Sequence, residues 1–398
     1  MLLLLISIVE VFSAASMLTY KSGGNYWWPI RQHSTYLFLG LGVVYVAHLI
    51  PYRFYKTIPL VLVPASICML IWVLLKGVDV NDAARWMRVA GFTIQPSEFA
   101  KVGVVMGTAV ILSRMQTEDG ATPNAMKWIL WMTIIVCGLI APENLSTAVL
   151  LFGVVCLMMY VGRVPMRQLL KLFFALCAAA ALFLSVLLFV PSKTLGKIQG
   201  LNRLVTWQAR IQRFGDSDAI PAAQYKITDE NYQESHAAMA IASSNIIGRG
   251  PGNSVERDYL PQAYSDFIFA IIIEETGLLG GAFVVMLYII LLIRAAKIAQ
   301  RCRGYFPAFL VMGCALMLVA QAMLNMMVAV GLFPVTGQPL PLISRGGTST
   351  IINCCYIGMI LSVSYHTEKM ARDAQAAAAE QAEDDIPEIL RDSSIVNA

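Results

Sequence analysis

Long apolar runs separated by polar connections dominate the pattern of the chain. A helix needs about 20 mainly apolar residues to cross a lipid bilayer. Ten segments approach this length and character, at roughly 1–19, 34–50, 57–75, 97–113, 127–141, 145–161, 170–191, 266–295, 305–333 and 348–365. The pattern therefore predicts an all-α polytopic membrane protein with ten transmembrane helices.

The Lys and Arg residues between these segments predict the orientation. Connections on the side of the N-terminus contain most of them, namely Arg53, Lys56, Arg114, Lys127, Arg163, Arg167, Lys171, Arg294, Lys297, Arg301 and Arg303. Because basic loops stay in the cytoplasm, both termini are expected there. The polar residues 367–398 then form a cytoplasmic tail that follows a membrane domain at 1–366.

One connection is much longer than the others. Residues 192–265, between the seventh and eighth predicted helices, form a large extracytoplasmic loop, and loops of this length are usually functional or disordered. Within it, GLNRLVTWQARIQRFGD places Arg203, Arg210 and Arg213 close together on a helix. Two interpretations stay open, an interfacial helix with snorkelling arginines or a basic surface for a phosphorylated lipid.

Composition agrees with a membrane protein and excludes other classes. The chain is 58% hydrophobic and 14% charged, with a net charge of +4. No basic block is present that could follow a nucleic-acid backbone. The cysteines form neither a C-x-x-C pair nor a Cys/His cluster, so neither a disulfide framework nor a zinc site is expected.

Charged side chains inside predicted spans need a reason, because each costs at least about 2.5 kcal/mol there. They are Glu10, Glu98, Lys101, Asp266, Glu274 and Glu275. Pro96 and Ser97 mark a helix start, with Ser97 as the expected cap. Glu98 and Lys101 lie three residues apart and can pair. The pair is either an ordinary ion pair at the membrane boundary or one that orients Lys101 into a polar cavity.

Asp266 begins the eighth predicted span, at its outer end. It is either an N-cap, a role that Ser265 could also fill, or a reactive carboxylate that is ionised at neutral pH and accepts a proton. On a regular helix, Glu274 and Glu275 would lie about 80° and 180° around the axis from Asp266. At most one of them is therefore expected to line the same cavity.

The stretch LFPVTGQPLPLISRGGTST, from Leu332 onward, cannot form a regular helix because of its prolines and glycines. Non-helical backbone at membrane depth is tolerated where it is buried or lines a cavity. We therefore expect a re-entrant or outer loop that closes a cavity, with a plain connector as the alternative.

Several of these stretches, in this order, resemble one family across nearly the whole chain. They are FSAAS at 12–16, NDAARWMRVAGFTIQPSEFAK at 81–101, LSTA at 145–148, GPGNSVERDYLPQAYSDFIFAIIIEETGLLGG at 250–281 and GLFPVTGQPLPLISRGGTS at 331–349. The chain is similar to the SEDS proteins (shape, elongation, division, sporulation). GNS before YLP resembles the division-type branch more than the elongation-type branch.

The resemblance implies a SEDS fold in a bacterial cytoplasmic (inner) membrane and an enzyme that polymerises the glycan strand of peptidoglycan from lipid II. It would transfer the growing undecaprenyl-pyrophosphate-linked glycan to the 4-hydroxyl of lipid II, beside a class B penicillin-binding protein and other membrane proteins of the division machinery. Asp266 corresponds to the family's catalytic aspartate. Glu98 and Lys101 correspond to the acid and the lysine of its fourth helix, and Arg85 to the arginine of ARW. A lipid II flippase and an elongation-type polymerase remain the alternatives.

The implied reaction also suggests which residues bind substrate. Cations must stabilise the leaving pyrophosphate, and the candidates are Lys101, Arg85, Arg210, Arg213 and Arg345, or a divalent ion such as Mg or Mn. Ser344, Gly346 and Gly347 belong to the same predicted substrate loop as Arg345. The chain departs from the family at Tyr264–Ser265, where His-Thr is frequent, and at Arg345, where tyrosine is usual.

Overall fold

The computed structural model describes residues 1–14, 27–76, 78–80, 83–89, 92–189, 207–209, 227–228, 231–260 and 263–384. Its α-helices are α1 (Leu2–Ala14), α2 (Trp27–Leu49), α3 (Ile58–Lys76), α4 (Pro96–Arg114), α5 (Pro123–Ile140), α6 (Leu145–Val161), α7 (Met166–Phe189), α8 (Tyr232–Ser243), α9 (Ile268–Arg301), α10 (Tyr305–Ala329) and α11 (Thr348–Asp384).

Each of the ten predicted segments overlaps one of these helices, although residues 15–19 and 190–191 lie outside the described part of the chain. Among the described residues, six helices are long and apolar enough to cross a membrane, within α3, α5, α7, α9, α10 and α11. Helices α1 and α6 are apolar but shorter. The protein is a helical polytopic membrane protein, as its apolar runs predict.

The all-α expectation needs a correction, because two small antiparallel sheets are present. Strands β1 (Val78–Val80), β2 (Ala83–Val89) and β3 (Phe92–Ile94) form a three-stranded sheet between α3 and α4. Strands β4 (Gln116–Thr117) and β5 (Gly120–Ala121) form a hairpin after α4. Both sheets lie between the apolar runs, and their strands of two to seven residues are too short to appear as apolar runs of about 20 residues.

Helix α10 lies in the middle of the bundle, packed against α4, α6, α9 and α11. Its buried side chains include Leu310, Cys314, Leu318 and Ala322, which recur every four residues along one face. Helix α11 runs along α2 and continues to Asp384, past the expected domain boundary at 366. Helix α7, in contrast, has no buried residue between 166 and 186, as expected for a lipid-facing helix.

The start of α4 corrects the predicted cap. Gln95 is the N-cap residue, Pro96 occupies the first helical position, and no side chain caps the helix. Ser97 is therefore inside the helix, where its hydroxyl accepts a hydrogen bond from Gln95 Nε2 at 3.1 Å. Proline explains the shift, because its fixed φ and missing N–H suit the first helical position.

Helix α9 is interrupted, which changes the expected arrangement of its acids. Gly277 has φ 76° and ψ −176°, so two helices meet at a break. Loop residues 245–250 complete the backbone hydrogen bonds there, with Gly250 N donating to Glu275 O (2.8 Å) and Leu278 N donating to Asn245 O (3.3 Å). The angles that the sequence suggests between Asp266 and the two glutamates do not apply, because Asp266 precedes the helix.

Glu274 and Glu275 are both fully buried and hold this loop in place. The Glu274 carboxylate accepts hydrogen bonds from Ser254 Oγ (2.5 Å) and Val255 N (3.0 Å) and lies 3.3 Å from the Arg249 guanidinium. Glu275 accepts hydrogen bonds from Gly252 N (2.9 Å) and from the Ser13 hydroxyl. The two acids therefore join residues 249–255 to α9 and α1.

Candidate functional site

Asp266 lies two residues before the first residue of α9 and is half-buried. Phe267 is the N-cap residue and no side chain caps the helix, so the capping alternative for Asp266 and Ser265 is wrong. Instead, Ser265 Oγ donates a hydrogen bond to Asp266 Oδ1 at 2.8 Å. The carboxylate thus lies outside the helix that it precedes, and a neighbouring hydroxyl orients it.

The backbone at Asp266 is fixed by an amide from the central helix. Asn325 Nδ2 donates to the carbonyl oxygens of Asp266 (2.8 Å) and Gln338 (2.7 Å). Gln338 Nε2 in turn donates to Thr147 Oγ1 at 2.6 Å. These buried bonds join α6, α10, the segment at Asp266 and the Pro/Gly-rich segment.

The predicted pair of Glu98 and Lys101 is confirmed, with 2.9 Å between Lys101 Nζ and Glu98 Oε1. Lys101 is fully buried and Glu98 is 3% exposed. Lys101 Nζ also donates to Gln321 Oε1 at 3.0 Å, and Gln321 Nε2 donates to Pro339 O at 3.0 Å. The pair therefore contacts the Pro/Gly-rich segment through one amide.

From residue 334 onward, the Pro/Gly-rich segment is buried or half-buried and lies beside Asp266, whereas its role as a re-entrant or outer loop stays a prediction. Ser344 Oγ donates to Ser265 O at 2.6 Å and accepts from Leu340 N at 2.8 Å. Leu342 has φ 65°, a left-handed conformation that is rare for a side chain of its size and is found most often at functional sites. The segment contacts the backbone on the N-terminal side of Asp266.

Arg345 makes a second contact with that backbone. Its N–H donates to Tyr264 O at 3.0 Å, its guanidinium lies 5.6 Å from the centre of the Tyr264 ring, and it donates to the Gln32 side chain of α2. Burial raises the pKa of Tyr264, although the Arg345 cation opposes this shift, so the phenol is neutral at physiological pH. The two departures from the family pattern are therefore in direct contact.

The other predicted site residues are placed less completely. Gly346 and Gly347 follow Arg345 and are half-buried. Arg85 lies on β2, but its side chain is outside the described part of the chain, as are Arg203, Arg210 and Arg213 entirely. No three His, Cys, Asp or Glu side chains converge as a metal site among the described residues. A requirement for Mg or Mn stays a prediction.

Sequence reasoning missed the neutral amides of this site. Gln321 and Asn325 lie four residues apart in the apolar run of α10, so they share one face. Buried amides need hydrogen-bond partners, and a pair of them in a transmembrane helix indicates a polar contact. The four-residue spacing of Gln321 and Asn325 is therefore the sequence feature that could have predicted this polar contact.

Comparison with known proteins identifies the family of the chain. The family model described as "Cell cycle protein", for FtsW, RodA and SpoVE, matches residues 1–369. The chain belongs to this family. Curated relatives include proteins called probable peptidoglycan glycosyltransferase FtsW from Halomonas elongata (30% identity, covering 94% of this chain and 91% of that one) and Hahella chejuensis (30%, 96% and 90%).

Solved structures show the same fold for this member of the family. A chain from a peptidoglycan synthase complex that coordinates polymerization and crosslinking superimposes with a TM-score of 0.70, at 24% identity and covering 92% of this chain and 96% of that one. RodA from Thermus thermophilus gives a TM-score of 0.61, at 23% identity and covering 91% and 93%. Below 25% identity, these matches concern the fold alone.

Proposed function

We propose that the chain is a peptidoglycan glycosyltransferase that polymerises glycan strands from lipid II during septal cell-wall synthesis. One observation supports this most directly: the half-buried Asp266 carboxylate accepts a hydrogen bond from Ser265, and the backbone of these two residues is held by Asn325 of α10 and Ser344 of the Pro/Gly-rich segment. The curated FtsW relatives support the same activity by their names. A general base needs a fixed position within hydrogen-bond reach of the proton that it removes.

In the proposed reaction, the 4-hydroxyl oxygen of lipid II attacks the anomeric carbon of the growing glycan. A C–O bond forms there while the bond to undecaprenyl pyrophosphate breaks, and the pyrophosphate leaves with the bonding electron pair. The hydroxyl proton moves to the Asp266 carboxylate. An alcohol is a weak nucleophile at neutral pH, and removal of its proton by a positioned carboxylate increases the rate by roughly 100–10,000-fold.

Positive charge near the leaving group is the second requirement. Arg345 supplies a guanidinium on the segment bonded to Ser265 and Tyr264, one residue from Ser344. Lys101 is fully buried and bonded to Glu98 and Gln321, so we assign it the positioning of the Pro/Gly-rich segment. Substrate contacts by Arg85, Arg210 and Arg213 stay predictions.

We also propose the membrane topology. Ten helices, α1 to α7 and α9 to α11, cross the cytoplasmic membrane with both termini inside, which leaves 192–265 outside and 367–398 as the tail. The basic connections support this orientation through the positive-inside rule. Septal location is proposed from the curated FtsW relatives, with a class B penicillin-binding protein and other division membrane proteins as partners.

An assay in detergent distinguishes a polymerase from a lipid II flippase. Polymerisation needs no membrane, whereas translocation requires two compartments, which detergent micelles do not provide. Purified protein with its transpeptidase partner is incubated with labelled lipid II, and the glycan chain length is measured. We expect polymer. Absence of polymer, together with translocation of labelled lipid II by the same protein in liposomes, would contradict the proposal and favour the flippase.

A further inference from the structure

A cavity of about 210 Å³ lies at the other end of the bundle from Asp266, and the proposed reaction does not use it. It is formed where the short 3-10 helix Tyr52–Lys56, the end of α4 and the start of α10 meet. Its polar lining comprises Tyr52, Lys56, Ser113, Arg114, Arg303 and Tyr305. Three elements far apart in the sequence therefore each contribute a cation.

None of these three cations has a carboxylate within 4.0 Å in the described part of the chain, whereas Lys101 and Arg249 do. Lys56 Nζ lies 5.3 Å from the centre of the Phe306 ring, a contact that holds the ammonium without neutralising it. Three like charges around one cavity repel each other, so the free protein bears an electrostatic cost that an anion would remove.

The start of α10 adds to the positive electrostatic potential in this cavity. Gly304 is its N-cap residue, with φ 128°, and no side chain caps the helix. Its first backbone N–H groups have no partner within the helix, and the positive end of the helix dipole favours an anion. Gly304, Tyr305, Phe306 and Pro307 all line the cavity, so this helix end and the three cations face the same space.

The size and position of the cavity indicate which anion fits. Sites for drug-sized ligands usually measure about 300–1,000 Å³, so this cavity suits a phosphate group better than a whole nucleotide. Along α10, Tyr305 lies about 30 Å from Asn325, at 1.5 Å per residue. That distance equals the thickness of the hydrocarbon core, so the cavity lies at the opposite membrane surface from Asp266, at the depth of lipid headgroups.

We propose that this cavity binds a phosphate group, supplied by the headgroup of an anionic phospholipid in the cytoplasmic leaflet. Basic pockets between transmembrane helices on this side recognise such headgroups. Phe54, on the same short helix as Lys56, is 62% exposed and provides an apolar surface for the acyl chains. The cytoplasmic side follows from the orientation proposed above, whereas phosphate binding does not depend on the glycosyltransferase activity.

The test measures lipid retained by the purified full-length protein in detergent, using native mass spectrometry. Phosphatidylglycerol and phosphatidylcholine are titrated separately into wild type, the cavity variant Lys56→Gln/Arg114→Gln/Arg303→Gln, and a control variant Lys127→Gln/Arg167→Gln/Lys171→Gln. The control removes the same charge from the same predicted face but outside the cavity. Thermal unfolding without added lipid checks that all three proteins are folded.

Wild type and control variant are expected to retain phosphatidylglycerol, and the cavity variant to bind it roughly 100-fold more weakly, as three basic contacts predict. Equal weakening in both variants, or none in the cavity variant, would overturn the proposal. Inorganic phosphate is then added as a competitor. Weak competition supports the lipid headgroup, whereas displacement at millimolar phosphate supports the same site with a soluble phosphate ligand and contradicts the lipid source.

Discussion

At the scale of single residues, the buried ammonium of Lys101 determines how the site is held. Its contacts with Glu98 and Gln321 replace the hydrogen bonds with water that a charged group loses when it is buried. A buried ion pair adds little net stability, but removing one partner leaves the other charge uncompensated. Lys101 is therefore expected to matter more for the structure around Asp266 than for contact with substrate.

Replacing Lys101 with Met should lower the free energy of unfolding by about 3–5 kcal/mol, because the Glu98 carboxylate would be left buried and unpaired. Unfolding in detergent, followed by tryptophan fluorescence, measures the change. The double variant Glu98→Gln/Lys101→Met should regain part of the loss. Met at the exposed Lys171 should change the stability by less than about 0.5 kcal/mol. A Lys101→Met protein as stable as wild type would contradict the assignment.

Ser344 is expected to affect the reaction through position. Its hydroxyl joins the Pro/Gly-rich segment to the carbonyl of Ser265, the residue that orients the Asp266 carboxylate. Because a displacement of about 1 Å can cost roughly 100-fold in rate, Ser344→Ala should slow polymer formation at least tenfold.

Ser66→Ala is the matched control, since Ser66 is buried and its hydroxyl donates to Val63 O on its own helix. It should polymerise lipid II at the wild-type rate. If the Ser344 and Ser66 variants lose activity equally, the contact with Ser265 has no special role.

At the scale of elements, the helices could be predicted from the sequence, but the interruption of α9 could not. An apolar run of about 20 residues indicates a helix because lipid leaves no other partner for its backbone. The break at Gly277 depends on residues 245–250, which supply the replacement hydrogen bonds. Such a partner about 30 residues away is not readable from local periodicity.

Gly277 should not tolerate a side chain. A Cβ there would stand 2.6 Å from Gly248 N and against the Ile246 backbone, and φ 76° is unfavourable for any L-residue. We expect Gly277→Ala to unfold at a lower temperature and to raise hydrogen exchange at residues 245–256. Gly153→Ala in α6, where a Cβ meets nothing within 4 Å, should be neutral or slightly stabilising. If Gly277→Ala and Gly153→Ala unfold at the same temperature, this contradicts the interruption of α9 at Gly277.

The candidate site was only partly predictable from the sequence, because its charged residues stand out in apolar runs but its neutral amides do not. Charged residues in apolar runs are conspicuous, which is why Asp266, Glu98 and Lys101 could be singled out. Gln321 and Asn325 are uncharged and were passed over, yet their amides connect those residues to the Pro/Gly-rich segment. Which polar groups meet depends on how α4, α6 and α10 pack, and one sequence does not contain that information.

At the scale of the whole molecule, α4 and α10 connect the two sites. Glu98 and Lys101 lie near the start of α4 and Arg114 at its end, while α10 runs from Tyr305 at the cavity to Asn325 at the segment of Asp266. The helical bundle thus has the Asp266 carboxylate at one end and the basic cavity at the other. This arrangement fits an enzyme that reacts with substrate outside while anchored to anionic lipid inside.

The central claim is that the Asp266 carboxylate accepts the proton of the attacking hydroxyl. Asp266→Asn keeps the size of the side chain and an oxygen for the Ser265 hydrogen bond but lacks the basic carboxylate. Asp258→Asn removes an exposed acid from the same loop and serves as the control. The decisive measurement is the rate of glycan polymerisation from lipid II by both variants with the transpeptidase partner. We expect a loss of about 100-fold or more for Asp266→Asn and the wild-type rate for Asp258→Asn. Polymerisation by Asp266→Asn at the wild-type rate would contradict the central claim.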